Sequence, residues 1–155
     1  MAFEIRMLCP TDVLLMRGML AAFAAAFEDP EAYLEKPPTD SYIADLLRKP
    51  HVIAICAMRA EAVVGGLVAY QLDKFEQDRR EIYIYDLAVD AGYRRRGIAT
   101  AMIDALRREA VRRNAYGIFV QADLVDAPAI ALYTKLGAMQ TAHHFDIALV
   151  GDGAP

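Results

Sequence analysis

The chain has 155 residues, of which 56% are hydrophobic, and carries 17 Lys and Arg against 21 Asp and Glu for a formal net charge of -4. Such a chain makes one domain, 1–155, with a sizeable core and no room for a second full one; its acidic balance argues against general affinity for nucleic acid, which needs many cations to displace counterions from phosphates, and suits a cationic partner. The longest uncharged apolar run, Gly18 to Phe27, is too short to span a membrane, and the start Met1-Ala2-Phe3-Glu4-Ile5-Arg6 alternates rather than forming a signal peptide, so a cytoplasmic protein is expected.

Phe3 to Met7 reads as a first strand, and Pro10-Thr11-Asp12 opens an apolar helix that runs to about Phe27 with a cap at its start. Thr39 or Asp40 begins a shorter helix that ends before Pro50. His51 to Met58 and Ala62 to Leu72 are β-rich runs split by Arg59-Ala60-Glu61, the pattern of a hairpin, and Arg80 to Val89 is a third run. The period then changes. Ile98, Met102, Leu106 and Ala110 recur every fourth residue, which predicts one apolar stripe on a helix from about Gly97 to Arg113. A strand over Gly117 to Ala122, a helix over Asp126 to Leu136 ended by Gly137, and a strand region over Met139 to Val150 complete the order. Local strand pairing with one strand-helix-strand crossover predicts a mixed, mostly antiparallel α/β sheet with flanking helices.

The most informative segment is the strand Glu81 to Val89 followed by Arg94-Arg95-Arg96-Gly97-Ile98-Ala99-Thr100. A helix that starts there offers unpaired backbone N–H groups and the positive end of its dipole to an anion. Gly97 and Ala99 leave room for close approach, and the arginines supply charge. An isolated Arg-rich turn is more often a solvated loop, but no GxGxxG follows a first strand and no GxxxxGK[ST] occurs, which removes the usual dinucleotide and Walker-type readings.

Arg94, Gly97 and Ala99 match the [QR]-x-x-G-x-[GA] pattern, so the segment resembles the acyl-coenzyme A motif of the GCN5-related N-acetyltransferases. Pro128-Ala129-Ile130-Ala131-Leu132-Tyr133-Thr134-Lys135-Leu136-Gly137 resembles that superfamily's second signature. Further runs, Lys74-Phe75-Glu76-Gln77, Glu81 to Val89, Val120-Gln121-Ala122-Asp123 and His144-Phe145-Asp146-Ile147, look like the gentamicin-type aminoglycoside 3-N-acetyltransferases over nearly the whole chain.

The resemblance implies acetyl-coenzyme A as co-substrate and direct attack by a neutral amine on its thioester, with no covalent acyl-enzyme. It implies cofactor contacts from Leu87, Ala88 and Val89 through the backbone, from Arg94, Arg95, Arg96, Gly97, Ile98, Ala99 and Thr100 at the pyrophosphate, and from the helix of Ala129 along the pantetheine arm. Tyr133 is implied as general acid or thiolate stabiliser, against the ordinary reading of a single tyrosine as core. Many relatives are expected to use a Glu on the motif strand as base, and Tyr83 stands approximately there instead.

By the two-residue period of a strand, Ile82, Ile84, Asp86 and Ala88 share one face, so Asp86 puts a carboxylate into an apolar row. A solvent-facing or hydrogen-bonded structural Asp near a strand bulge fits that pattern equally; the resemblance favours amine binding or proton acceptance. Asp123, Asp126 and Asp146 are the further acidic candidates for a polycationic acceptor, with Glu28, Asp29 and Asp40 weaker, and an N-cap duty for Asp126 stands beside the substrate role. Leu124-Val125-Asp126-Ala127 is less acidic than the subfamily tends to be. Neighbouring His143 and His144 face opposite ways on a strand, Cys9 and Cys56 stand far apart, and no metal or disulfide is expected. Two other readings fit the residues: an N-acetyltransferase for a polyamine, another small amine or a protein amine, and a cofactor-binding module without turnover. An apolar final strand is compatible with a homodimer.

Overall fold

The computed structural model describes residues 2–151. Residues up to Gln121 form one compact unit and residues from Ala122 a second, smaller one.

The larger unit is built on a five-stranded sheet in the order β1-β2-β3-β4-β5, comprising β1 (Glu4–Met7), β2 (Val52–Arg59), β3 (Ala62–Asp73), β4 (Arg80–Val89) and β5 (Ala115–Val120). The first four strands pair antiparallel, and β4 pairs with β5 in parallel. A parallel neighbour requires a crossover, which α3 (Ile98–Arg112) provides. The expected mixed, mostly antiparallel sheet with flanking helices is the fold found.

Two adjacent glycines show how the helices are distributed. A Cβ added at Gly66 would lie 2.9 Å from Met19 of α1 (Val13–Ala26), whereas one at Gly65 would lie 3.4 Å from Met102 of α3. Successive residues of a strand face opposite sides, so α1 and α3 cover opposite faces of the sheet. On the α1 side, α2 (Asp40–Arg48) joins a core in which Met19, Phe23, Ile43 and Leu47 pack on Ala54, Cys56, Val68 and Ala88. On the other side, Ile98, Met102, Leu106 and Ala110 are buried, the stripe that the four-residue period predicts. Each such side chain withdrawn from water contributes on the order of 2 kcal/mol before conformational entropy is subtracted.

Asp12 precedes α1, but its carboxylate does not bond the first helical turn. It turns back to accept from the Cys9 N–H at 2.8 Å and from Arg6 at 2.7 Å, and these bonds hold the buried carboxyl below its usual range against the opposing effect of burial.

In the smaller unit, α4 (Ala127–Leu136) begins at Asp126, whose Oδ1 accepts from Ala129 N–H, with Pro128 in its first turn, where a missing N–H costs nothing. The strand expected over Met139 to Val150 is absent: residues 138–149 find no ladder partner, and Phe145, Ile147 and Leu149 are exposed. Alternating apolar residues suit a strand, but only pairing of their backbone groups makes one.

Candidate functional site

The chain leaves β4 through a tightly tied turn. Asp90 N–H donates to Val64 O at 2.9 Å, Asp90 Oδ1 accepts from Gly92 N–H at 2.8 Å, and one 3-10 turn over Ala91–Tyr93 follows. Arg94 Nε then donates to the Val89 carbonyl at 3.0 Å, which folds the loop back on the strand it left. Arg95 and Gly97 both take left-handed backbone angles, φ 60° and φ 79°. For Gly97 this conformation is free, and a Cβ added there would have no heavy atom within 4 Å, so the turn is open above it.

Gly97 is the N-cap of α3 and offers no side chain to its first turn; the first intrahelical bond runs from Ala101 N–H to Gly97 O at 2.9 Å. The N–H groups of Ile98, Ala99 and Thr100 precede that bond and have no acceptor in the helix. Among the described residues, Arg94, Arg95 and Arg96 enter no salt bridge. In the other arginine runs, Arg107 pairs with Asp104, and Arg112 and Arg113 with the buried Glu109. Uncapped donors, an open approach and three arginines without carboxylate partners fit a pyrophosphate.

β5 stops at Val120, short of the C-terminal half of β4. Pairing between them ends at Ile84 with Val120, so in the larger unit Asp86 to Val89 have only β3 as a ladder neighbour. Leu87, Ala88 and Val89, expected to give backbone groups to an extended ligand, therefore lie where one edge of β4 is open.

A β-bulge decides which way Asp86 points. Val68 stands opposite Asp86 and Ala69 opposite Ile84, which leaves Tyr85 without a partner of its own. The extra residue turns the alternation over. Ile82, opposite Gln71, shares its face with that residue, whose side chain meets Arg113 next to α3; Asp86 instead shares the α1 side with Val68 and Ala88. The expected single row of Ile82, Ile84, Asp86 and Ala88 is thus broken in the middle.

On the α1 side Asp86 lines a cavity of about 210 Å³, together with Phe23 of α1, Tyr33, Tyr42 of α2, Tyr70 of β3 and Tyr85. Tyr33 Oη donates to Asp86 Oδ2 at 2.8 Å. Tyr70 and Tyr85 meet edge to face with ring centroids 5.7 Å apart, and Tyr85 meets Tyr83 likewise at 5.9 Å. Burial raises the Asp86 carboxyl above the usual range, opposed by the Tyr33 hydrogen bond. Among the described residues Asp86 is the only charged one lining the cavity. A half-buried carboxylate among tyrosine side chains, with no cation among the lining residues described, is suited to an ammonium group.

Tyr33, Tyr42 and Tyr70 are absent from the sequence-derived candidates. Tyr33 stands in Asp29-Pro30-Glu31-Ala32-Tyr33, where no period or motif marks it, and Tyr42 and Tyr70 are indistinguishable in sequence from ordinary packing. Tyr83, standing where relatives are expected to carry a Glu, stacks on Phe119 at 4.6 Å and donates to Gln121 Oε1 at 2.9 Å, a packing arrangement. Of the weaker acidic candidates, Asp29 accepts from Ala32 N–H and Asp40 pairs with Arg17 of α1.

In the smaller unit Tyr133 is half-buried, and burial, with the Asp126 charge added, pushes its phenol up to about 12. Asp126 serves as the α4 cap, Asp123 is exposed, and Asp146 pairs with His144 at 3.0 Å.

The model of the acetyltransferase (GNAT) family matches residues 18–138 of this chain. Among solved structures, the aminoglycoside acetyltransferase HMB0005 from an uncultured soil metagenomic sample is 49% identical with a TM-score of 0.94, the match covering 96% of this chain and 99% of that one. The aminoglycoside acetyltransferase meta-AAC0020, from an uncultured soil metagenomic sample and in complex with sisomicin, is 28% identical with a TM-score of 0.88 over 95% and 96%. N-alpha-acetyltransferase 30 of Xenopus laevis is 30% identical over 99 residues, which are 64% of this chain and 36% of that protein. The chain spans about a third or less of the length of the curated relatives it matches.

Proposed function

The chain belongs to the acetyltransferase (GNAT) family, and from that premise we propose that it moves an acetyl group from acetyl-coenzyme A to the 3-amino group of a gentamicin-like deoxystreptamine aminoglycoside, a cytoplasmic activity that gives antibiotic resistance. The observation that carries this reading is the Asp86 cavity, whose only charged lining residue among those described is a carboxylate held by Tyr33 among tyrosine rings. Similarity to two aminoglycoside acetyltransferases over nearly the full chain supports the choice of amine.

Acetyl-coenzyme A, the family's acetyl donor, supplies an acetyl group activated as a thioester. The residues that would hold it are Arg94, Arg95 and Arg96 with the N–H groups of Ile98, Ala99 and Thr100, which would neutralise and orient its phosphates, while Leu87, Ala88 and Val89 offer the open edge of β4. Asp86 binds the acceptor ammonium through Oδ1 and takes its proton, so that a neutral nitrogen is available to attack. Tyr133 remains protonated near neutral pH, its phenol raised to about 12, and its hydroxyl would give a proton to the sulfur as the nitrogen–carbon bond forms and the carbon–sulfur bond breaks. Asp123, Asp126 and Asp146 are the candidates for the remaining ammonium groups, with Asp126 also serving as a cap. Ala129 lies in the first turn of α4, the helix assigned to the pantetheine arm.

A protein α-amine is the second reading, favoured by the similarity to N-alpha-acetyltransferase 30 over 99 residues. Incubation of the protein with acetyl-coenzyme A and gentamicin, followed by mass spectrometry and by NMR of the product, separates the possibilities. One acetyl group on the 3-amine is the expected result. Acetylation at a 6′- or 2′-amine would overturn the position, exclusive turnover of a polyamine or of peptide N-termini would overturn the acceptor class, and cofactor binding without thiol release on any amine would leave a non-catalytic module.

A further inference from the structure

Between α1 and α2 the chain makes a single π-type turn, Glu31–Glu35, in which Glu31, Ala32, Leu34 and Glu35 are exposed and Tyr33 alone turns inward. Its ring is held by α1: the centroids of Phe23 and Phe27 lie 5.8 Å away each, and those two rings stack at 5.9 Å. Pro30 sits ahead of the turn and Asp29 Oδ1 accepts the Ala32 N–H, so the backbone that carries Tyr33 is fixed at its start. The Tyr33 hydroxyl reaches 53 residues along the chain to Asp86 Oδ2 at 2.8 Å. Among the described residues no donor meets Oδ1, which is left to the cavity.

We propose that Tyr33 is the positioning residue of the acceptor site, its hydroxyl fixing the Asp86 carboxylate so that Oδ1 presents to the incoming ammonium. This rests on the reading of Asp86 as the amine-binding carboxylate. A second effect follows from the same bond. The titratable groups that face Asp86 are Tyr42 from α2, Tyr70 from β3, Tyr83 and Tyr85 from β4, and Tyr33 with Asp29 behind it. None is a cation, and Arg17 of α1 is committed to Asp40 and the Pro38 carbonyl. Burial favours the protonated carboxyl and the Tyr33 bond favours the carboxylate, so among the described residues Tyr33 is the group that counters burial.

The sign is fixed by this balance. Loss of the hydroxyl raises the Asp86 pKa, the fraction ionised at a given acidic pH falls, and the acid limb of kcat/KM moves to higher pH. Tyr33→Phe keeps the ring and its contacts with Phe23 and Phe27, so the fold is expected to survive. The decisive measurement is a carbon-13 NMR titration of the aspartate carboxyls in the substrate-free protein, with the Asp86 signal assigned by its loss in Asp86→Asn. The expected result is an Asp86 midpoint higher by about one pH unit in Tyr33→Phe, with the acid limb of kcat/KM displaced by the same amount. An unmoved Asp86 midpoint, or a uniform fall in kcat/KM with no displacement of the limb, overturns the proposal and reduces Tyr33 to packing.

The bond can also be tested from its other end. Burial, the Asp86 bond and the Asp86 charge all raise the Tyr33 phenol, so in Asp86→Asn its titration must fall back toward the ordinary tyrosine range; an unchanged phenol overturns the proposal even if Tyr33→Phe fails to fold. Both titrations are made without substrate. Failure of the wild-type protein to acetylate any amine is therefore a separate result, which sinks the reading of Asp86 and the positioning role that depends on it.

Discussion

The turn at Arg94 to Thr100 and the cavity at Asp86 flank the two ends of the same stretch of β4 and carry opposite charge. The turn gathers three arginines and uncapped amides that lack a carboxylate; the cavity holds a carboxylate that lacks a cation. They are also built differently. The turn is seven consecutive residues whose geometry is set by local bonds, whereas the cavity draws on α1, the turn at Glu31–Glu35, α2, β3 and β4. A contiguous anion cradle tolerates the loss of any one side chain because backbone amides share the work. A single carboxylate assembled from distant elements has no such redundancy, so damage there is expected to be much larger.

Asp86→Asn should show that asymmetry most strongly. It removes the charge at nearly constant shape and is expected to lower kcat/KM for the amine by about 10³-fold while leaving acetyl-coenzyme A affinity intact, as read by steady-state kinetics and calorimetry. A loss under about tenfold would place the amine elsewhere. Tyr133→Phe tests a third position that belongs to neither pole: kcat should fall about 10²-fold with the cofactor dissociation constant unchanged, and full turnover under saturating substrates would leave Tyr133 as packing.

The two ends of α3 extend the comparison to stability. At its C-terminal end the hydrogen bond from Arg112, together with Arg113, draws the buried Glu109 down to about 2. A depressed carboxyl stabilises the fold above the unfolded glutamate pKa, and that contribution disappears as pH falls from there toward 2. Glu109→Gln should therefore cost about 2 kcal/mol in urea titrations at neutral pH, allowing for the exposure of Arg112, and the gap to wild type should close in acid. At the N-terminal end, where no carboxylate waits, changes should affect binding instead. Gly97→Val forces a β-branched residue into the left-handed region and should weaken acetyl-coenzyme A about tenfold by calorimetry; the same change at Gly92, which has no positive φ, should do much less. Arg95→Ala is the mildest test, about threefold in cofactor affinity and shrinking as salt is added; a hundredfold loss would mean that one side chain, rather than the shared cradle, carries the phosphates.

The sequence by itself determined whatever depends on near neighbours. The stripe of Ile98, Met102, Leu106 and Ala110, the hairpin through Ala60, the crossover between β4 and β5, and the helix start at Gly97 are all written in runs of a few residues, because helix period, strand alternation and a left-handed glycine are properties of the local chain. The tertiary structure decided what depends on pairing. A bulge at Tyr85, set by register against Val68 and Ala69, turned Asp86 away from the face of Ile82 and Ile84 that alternation assigned to it. Tyr33 became its hydrogen-bond donor only because Phe23 and Phe27 hold a short turn over the sheet. Residues 138–149, with strand-like alternation but no partner for their backbone groups, formed no strand. Local patterns state which conformations a segment can take, and long-range hydrogen bonds and packing choose among them, since only they satisfy the backbone and set the face on which each side chain emerges.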